Sequence, residues 1–349
     1  MKKLSWFNKV VFVFNMVVTV LTFVAYVLPF LAPKLFPLLS VLTLILPLFL
    51  ILNALFFCYW LLQLKRQIFL SGIVLLLGIT FISKFYKFSS TEAVVEEKDF
   101  TVMSYNVRLF NLFEWMKTKH VGDTILSFIN EQNPDILCIQ EYSENAKVDL
   151  RVYKYKAIFM HGNQVKTGQA IFSKFPIFDM GKLDLPNSNN AVIYADIRKG
   201  QDTIRVYNMH LQSIKISPDV NEISEHVDSL NQQKSEQVFV RIRDAFKKQE
   251  NQSEILVSHK KRCHYPLIIC GDMNNSAFSY VYRNIKGNLN DCFEEAGIGF
   301  GQTYKFKYYP ARIDYIFADR KMKVKSFITF NKFENSDHFP VLTRLSFED

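Results

Sequence analysis

Acidic residues are missing from the first 88 positions, which contain no Asp and no Glu. Cysteine is scarce, with 5 in 349 residues, and no pair has the spacing of a zinc finger. Glycine and proline are few, at 12 and 11, while 49% of residues are hydrophobic. That composition excludes collagen-like, disulfide-scaffold and disordered chains. The missing acids also explain the charge. The formal value is +9, and residues 1–88, with eight Lys or Arg, hold +8 of it. The remaining 34 basic and 33 acidic residues nearly cancel. The basic excess therefore belongs to the hydrophobic N-terminal segment and does not mark the rest as a nucleic-acid binder.

Three uncharged apolar runs fill that segment. Residues 10–32 and 38–62 each supply the roughly 20 residues that a bilayer-crossing helix needs. The third, 68–83, does so only when extended to 86 with Lys84 reaching the interface. Pro33, Lys34 and Pro37 separate the first two runs, and Lys65 and Arg66 the last two. Pro29 and Pro47 fall inside the runs, where membrane helices tolerate proline. A cleaved signal peptide fits poorly, since the first run exceeds the usual h-region of roughly 7–15 residues and two more runs follow. The expectation is a membrane anchor over 1–88 with three transmembrane helices, at 10–32, 38–62 and 68–86. Five basic residues lie in the N-terminus and second loop, against three in the first loop and after the third run. The positive-inside rule then expects a multi-pass protein whose later residues lie outside the cytoplasm, with the lipid bilayer as partner.

Residues 89–99 read as a polar linker, and 100–349 as one α/β domain. Short apolar runs rich in β-branched and aromatic residues recur there, among them T-V-M-S-Y-N-V, D-I-L-C-I-Q, P-L-I-I-C-G-D and V-L-T-R-L-S-F. Helical periodicity at 119–131 groups Ile125, Phe128 and Ile129, and at 222–248 groups Val238, Ile242, Ala245 and Phe246. Many strands with a few helices predict packed sheets flanked by helices. Cys138 and Cys270 read as buried thiols within strands. Whether Cys263 and Cys292 pair is left open. No feature points to an obligate protein partner.

Several strands run apolar and then end in an acid, amide or histidine. Asn106, Gln140-Glu141, Asn208-Met209-His210 and Asp272-Met273-Asn274 follow such runs, Asp314 opens one, and Asp337-His338 precedes the last. One strand-end Asp or Asn is ordinarily a turn residue. Six such termini converging on one sheet edge would build a site from Asn106, Glu141, His210, Asp272, Asn274, Asp314, Asp337 and His338. Oxygen ligands with amides and no cysteine suit Mg²⁺, Mn²⁺ or Ca²⁺. Two histidines beside carboxylates supply acid, base or charge stabilisation, the parts needed for metal-assisted hydrolysis of a phosphate ester.

Those motifs, in order S-Y-N-V, P-D-I-L-C-I-Q-E, N-M-H-L, G-D-M-N, R-I-D-Y-I-F and S-D-H-F-P-V, resemble the endonuclease/exonuclease/phosphatase superfamily from about Phe100 to Phe347. K-S-E-Q around Gln237 and G-Q-T-Y before R-I-D-Y add to the resemblance. It implies a four-layer α/β sandwich of two mixed sheets with helices outside. It implies that Glu141 ligates an essential divalent ion, supported by Asn106 and Asp337. His210 and Asn274 would contact the scissile phosphate, and Asp314 would orient His338, with Asp272 and His338 sharing general-base duty. Arg108 stands where some members place a second metal-binding Asp, so it is expected to face the substrate phosphate instead. The resulting expectation is a membrane-anchored phosphodiesterase or phosphatase acting on a phospholipid headgroup. An extracytoplasmic nuclease acting on nucleic acid and a non-catalytic binding module are the alternatives.

Overall fold

The computed structural model describes residues 4–90, 93–214, 232–307 and 309–347. Three helices come first. In α1 (Trp6–Val27) the Ser5 hydroxyl caps the start by accepting from the Asn8 amide. α2 spans Leu46–Leu62 and α3 spans Ile68–Phe85. The second apolar run is thus not one helix over 38–62. Its beginning is a 3₁₀ turn (Leu39–Thr43), Ile45 leaves helical geometry, and Pro47 sits in the first turn of α2. Proline lacks the N–H that a helix interior requires, so the helix begins around it. The 17 residues of α2 span about 25 Å. Among the described residues, two helices, Trp6–Phe30 with its 3₁₀ extension and Ile68–Phe85, are long and apolar enough to cross a membrane, not the three expected. The run that looked shortest forms α3 in full.

Polar side chains bind these helices together. Trp60 Nε1 donates to Asn15 Oδ1 at 2.9 Å, Asn15 to Ser71 Oγ at 2.8 Å, and Asn53 to Thr22 Oγ1 at 2.9 Å. Asn8 also donates to Gln63 at 2.8 Å, so α2 runs antiparallel to α1. Tyr26, near the end of α1, donates to the Val74 carbonyl on α3, which runs parallel to α1. Buried side-chain hydrogen bonds of this kind fix the relative positions of helices whose facing surfaces are otherwise apolar.

The rest folds as two six-stranded mixed sheets. The first contains β1 (Phe100–Asn106), β2 (Ile136–Tyr142), β3 (Tyr155–His161), β4 (Thr167–Ser173), β11 (Met322–Thr329) and β12 (Val341–Phe347). Its order is β11-β12-β1-β2-β4-β3. The second contains β5 (Ile177–Leu183), β6 (Ala191–Lys199), β7 (Asp202–His210), β8 (Leu267–Asp272), β9 (Asn290–Asp291) and β10 (Asp314–Ala318). Its order is β5-β6-β7-β8-β10-β9. Phe100, Val102, Ile136 and Cys138 of one sheet share a buried core with Ile193, Val206, Ile268 and Cys270 of the other. All five cysteines are free, so Cys263 and Cys292 do not pair.

Helices cover the outer faces. α4 (Val121–Gln132) lays Ile125, Phe128 and Ile129 on the first sheet, on the face its periodicity predicts. α5 (Gln232–Lys260) runs 12 residues beyond the expected end at 248, while 222–231 and the Val238 side chain lie outside the described residues. α6 (Tyr280–Lys286) packs Val281, Tyr282 and Ile285 against the second sheet. The short α7 (Cys292–Ala296) contributes Phe293 to the central core.

The two-sheet domain rests directly on the helical segment. Ile242, Ala245 and Phe246 of α5 pack on Val41 and Leu44, between α1 and α2. Phe278 is buried among Ala25, Tyr26, Leu46, Phe49 and Val74. Ser276 Oγ donates to the Thr43 carbonyl at 3.1 Å and Tyr309 to that of Leu44 at 3.3 Å. The polar linker is pinned as well, since Lys325 meets the Val94 carbonyl at 3.0 Å and Asp99 at 2.9 Å. Removing the Phe278 ring would leave a cavity in this joint. Phe278→Ala is expected to cost about 3–5 kcal/mol, read as a lowered unfolding temperature of the full chain in detergent. An unchanged transition would show that the ring supports nothing.

Candidate active site

The strands deliver their polar ends to one edge of the sandwich. β7 and β8 are parallel with His210 opposite Asp272, and β10 runs antiparallel with Asp314 also opposite Asp272. Gly271 makes the first pairing fit. It has φ +122°, and a Cβ there would lie 2.0 Å from the Met209 carbonyl oxygen. Only glycine allows so close an approach at that φ.

Glu141 reaches the site through a β-bulge. In the β2–β4 ladder Gln140 pairs with Gln169 and Tyr142 with Gly168, leaving Glu141 unpaired at φ +51°. The bulge breaks strand alternation and turns the carboxylate toward its neighbours. Asn106 Nδ2 lies 3.4 Å from Glu141 Oε1 and 3.1 Å from Asp272 Oδ2. His210 Nε2 lies 3.8 Å from Glu141 and 3.6 Å from Asp272.

Asn274 is held in a left-handed turn at φ +53°. Its backbone N–H donates to Asp272 Oδ1 at 2.8 Å, and its Nδ2 to Asp272 Oδ2 at 3.0 Å. On the far side, His338 Nδ1 lies 2.9 Å from Asp314 Oδ2, and its Nε2 lies 3.7 Å from Asp272 Oδ2. The Thr303 hydroxyl accepts from the Ile313 and Asp314 amides at 3.0 Å each, fixing the start of β10. Asp337 and His338 lie in a turn before β12, which lets adjacent residues serve one site. Asp337 Oδ2 pairs with Arg108 Nη1 at 3.3 Å, and the Arg108 guanidinium stacks 4.7 Å above the Trp115 ring. Asn106 Oδ1 accepts from the Arg108 amide at 3.1 Å, which links this corner to the rest.

All nine residues singled out in the sequence are therefore gathered here. Asp272, Asp314 and His338 form the tightest group, with ligand-type atoms within 4.8 Å of one another. Glu141 and Asp337 stay partly open, at 33% and 28% side-chain exposure. Carboxylate oxygens with an open approach fit a hard divalent ion.

Sequence reasoning assigned no part to the amides that lie between the sheets. Gln140 Nε2 donates to Asn208 Oδ1 at 2.7 Å, and Asn208 Nδ2 donates to the carbonyls of Ile139 at 2.9 Å and Ala170 at 3.0 Å. Gln169 was missed altogether. Their signal is a lone amide within an otherwise apolar strand.

Electrostatics follow from burial. Burial pushes the Asp272 carboxyl up to about 8, opposed mainly by His338. Burial disfavours the His338 imidazolium, but Asp314 and then Asp272 outweigh it and raise its pKa well above the ordinary value. Burial lowers that of His210, with Glu141 opposing.

The Endonuclease/Exonuclease/phosphatase family matches residues 103–338, and the chain belongs to it. Members of this family are phosphoester hydrolases and are generally dependent on divalent metals. Residues 8–85 match a domain of unknown function (DUF8431). No curated protein matches the chain. Among solved structures, the human Nocturnin catalytic domain with bound sulfate is 20% identical with a TM-score of 0.52, covering 73% of this chain and 97% of that one. Humanized D. rerio TDP2 is 14% identical with a TM-score of 0.53, covering 72% and 100%. An endonuclease/exonuclease/phosphatase from Beutenbergia cavernae is 16% identical with a TM-score of 0.51, covering 72% of each chain. At these identities the likeness is one of fold.

The shifts at Asp272 and His338 have one consequence for stability. The folded chain keeps protons that the unfolded chain, with His near 6.5 and Asp near 3.9, has released. Metal-free protein should therefore lose stability as pH rises from about 6.5 to about 8. His338→Gln should flatten that slope in thermal unfolding with EDTA. A transition temperature that rises over this range would contradict the assignment.

Proposed function

We propose that this protein is a membrane-anchored, divalent-metal-dependent phosphoric ester hydrolase acting on a lipid headgroup at the bilayer surface. The reading is carried by the joint between site and anchor. Asn274 lies two residues before Ser276, which bonds to Thr43, and four before Phe278, which is buried among the N-terminal helices. Those helices hold the site beside the membrane rather than at the end of a long tether. The near-neutral charge of the residues after 88 supports a lipid over a nucleic acid, whose phosphates call for a basic surface.

Glu141, with Asn106 and Asp337, would hold the metal ion. When bound, the ion neutralises charge on the phosphoryl oxygens and lowers the pKa of a nucleophilic water. The remaining work falls to the chain. Asp314 accepts from His338 Nδ1 and so leaves Nε2 directed at the site. Asp272 and His338 would share general-base duty toward the attacking water, in the state in which one of them has released its own proton. His210 and Asn274 bind the phosphate and meet its growing negative charge. Arg108 stands at the rim as a second phosphate contact.

α1 and α3 both end at the catalytic-type domain, while the start of α1 lies beside the end of α2. Because α1 and α3 run parallel, the chain returns between them along the 3₁₀ turn and α2, and residues after Phe85 emerge opposite the N-terminus. The basic N-terminus and the Lys65–Arg66 connection then face the cytoplasm.

Two experiments check these readings. Glu141→Gln keeps the side-chain shape and removes its charge. It is expected to lower Mg²⁺-dependent turnover of a phospholipid panel by more than about 10²-fold, with metal-free stability little changed. Full activity in EDTA or in the variant would remove the metal role, and turnover of plasmid DNA in place of lipid would move the chain to the nucleases. A C-terminal alkaline phosphatase fusion should be active and a green-fluorescent fusion dark. The reverse pattern would invert the orientation.

A further inference from the structure

The loop after α7 carries an apolar tip. Ile298 is 62% exposed and Phe300 44%. Neither has a part in the hydrolysis proposed above. The tip is nonetheless held firmly. Gly299 and Lys87 exchange two backbone hydrogen bonds of 2.9 Å each. The Phe300 ring lies 5.1 Å from that of Phe85 and 4.8 Å from that of Tyr86. Gly301 follows at φ +58° against the Phe293 ring, where a Cβ would lie 2.4 Å from Cε2. Two large apolar side chains are thus fixed in the open where the chain leaves α3. Exposed apolar residues gathered in one place mark a contact with a protein or a membrane.

The neighbours of the tip indicate which. Phe85 is the last residue of α3, one of the two helices long and apolar enough to cross a membrane. Phe88, three residues on, is exposed, and its ring lies 4.9 Å from that of Tyr86. Aromatic side chains gather where a bilayer meets water. Lys87 stands within the bridge to the tip, and lysine keeps its charge at the edge of an apolar layer in this way. A second apolar tip lies at the same end of the helices. Leu35 and Phe36 are exposed between Pro33 and Pro37, shortly after the apolar helix Trp6–Phe30 ends, and α1 runs parallel to α3. A single lipid surface meets both tips at once. A protein partner is a poorer fit, because a few side chains offer far less than the roughly 800 Å² that each side of a stable protein interface buries.

Resting on the membrane-anchored reading above, we propose that the Ile298–Phe300 tip seats in the headgroup region of the bilayer and holds the site at a fixed height over the lipid. Tip and site belong to one loop. Thr303, whose hydroxyl fixes the start of β10, is three residues after Phe300. The ring of Tyr304, the next residue, lies 4.9 Å from that of His338.

The test uses the full chain in vesicles of phosphatidylcholine, phosphatidylethanolamine and phosphatidylglycerol. An environment-sensitive fluorophore is attached at Ile298→Cys, with Cys58→Ser and Cys263→Ser removing the two cysteines that are not buried. A nitroxide on the lipid headgroup should quench this label at least threefold more than the same label at Lys156→Cys. Lys156 is exposed on β3, at the opposite edge of the sandwich from β9 and β10. Iodide in the water should quench the label at 298 less than the one at 156. Equal nitroxide quenching at both positions would overturn the contact. So would protection from iodide without nitroxide quenching, which would assign the tip to a protein partner. In the same vesicles with Mg²⁺, Ile298→Ser should lower turnover of lipid at least fivefold, and Ile298→Trp should retain it. Turnover of the water-soluble methyl 4-nitrophenyl phosphate should change less than twofold in both. Equal losses on the two substrates, or none, would overturn the positioning role. Quenching needs no turnover, which separates this proposal from the hydrolase reading. Headgroup quenching in a chain that hydrolyses neither substrate would overturn the hydrolase reading and keep the contact. Lipid turnover without headgroup quenching would do the reverse. A chain that fails to float with the vesicles would overturn the anchor and the contact together.

Discussion

Asp272, Asp314 and His338 lie buried against one another, and such a cluster stands only if each charge has partners. An ionised group moved alone from water into the interior costs several kcal/mol. Here the imidazole sits between two carboxylates, and the Asp272 oxygens accept from Asn106 and Asn274. The cluster therefore retains protons that free side chains would release, which is the property proton-transfer chemistry requires.

Holding such a group rigid falls to the apolar strands around it. Strands whose other residues are locked in a dry core place the side chains at their ends more precisely than loops do. Three local departures from regular geometry then aim the side chains: the close approach at Gly271, the bulge at Glu141 and the left-handed turn at Asn274. Each is unfavourable for an ordinary residue in an ordinary strand, and all three fall beside the same site. Strain gathered in one place is common where geometry is specified for function.

The N-terminal helices and the site share supports. Arg312, two residues before Asp314, is buried with its Nη1 2.7 Å from Asp291. Its Nη2 donates to the Lys84 carbonyl at the end of α3 at 3.1 Å, and its guanidinium lies 4.5 Å from the Phe293 ring centroid. One side chain thus ties the last turn of α3 to the strand that carries Asp314. The polar residues inside the helical segment, such as Asn15 and Asn53, hold that support in a single arrangement.

Strand composition and the polar ends of strands were legible in the chain itself. β1, β2, β7, β8 and β12 fall where apolar runs place them, because alternating or continuous burial leaves a direct imprint on composition. β4 and β5 left weaker marks: β4 carries Gly168 and Gln169, and β5 exposes Phe178, Asp179 and Met180 at the edge of its sheet. The sequence also determined the chemistry of the candidate site, since carboxylates, amides and imidazoles in that order are readable without coordinates. Tertiary structure alone decided the rest. It turned the apolar face of α5 toward the N-terminal helices and left both ends of the Gln169 amide without a partner among the described residues. A choice of packing partner and an unmet hydrogen bond each depend on what lies across a gap from residues far away in the chain, and composition carries no record of that distance.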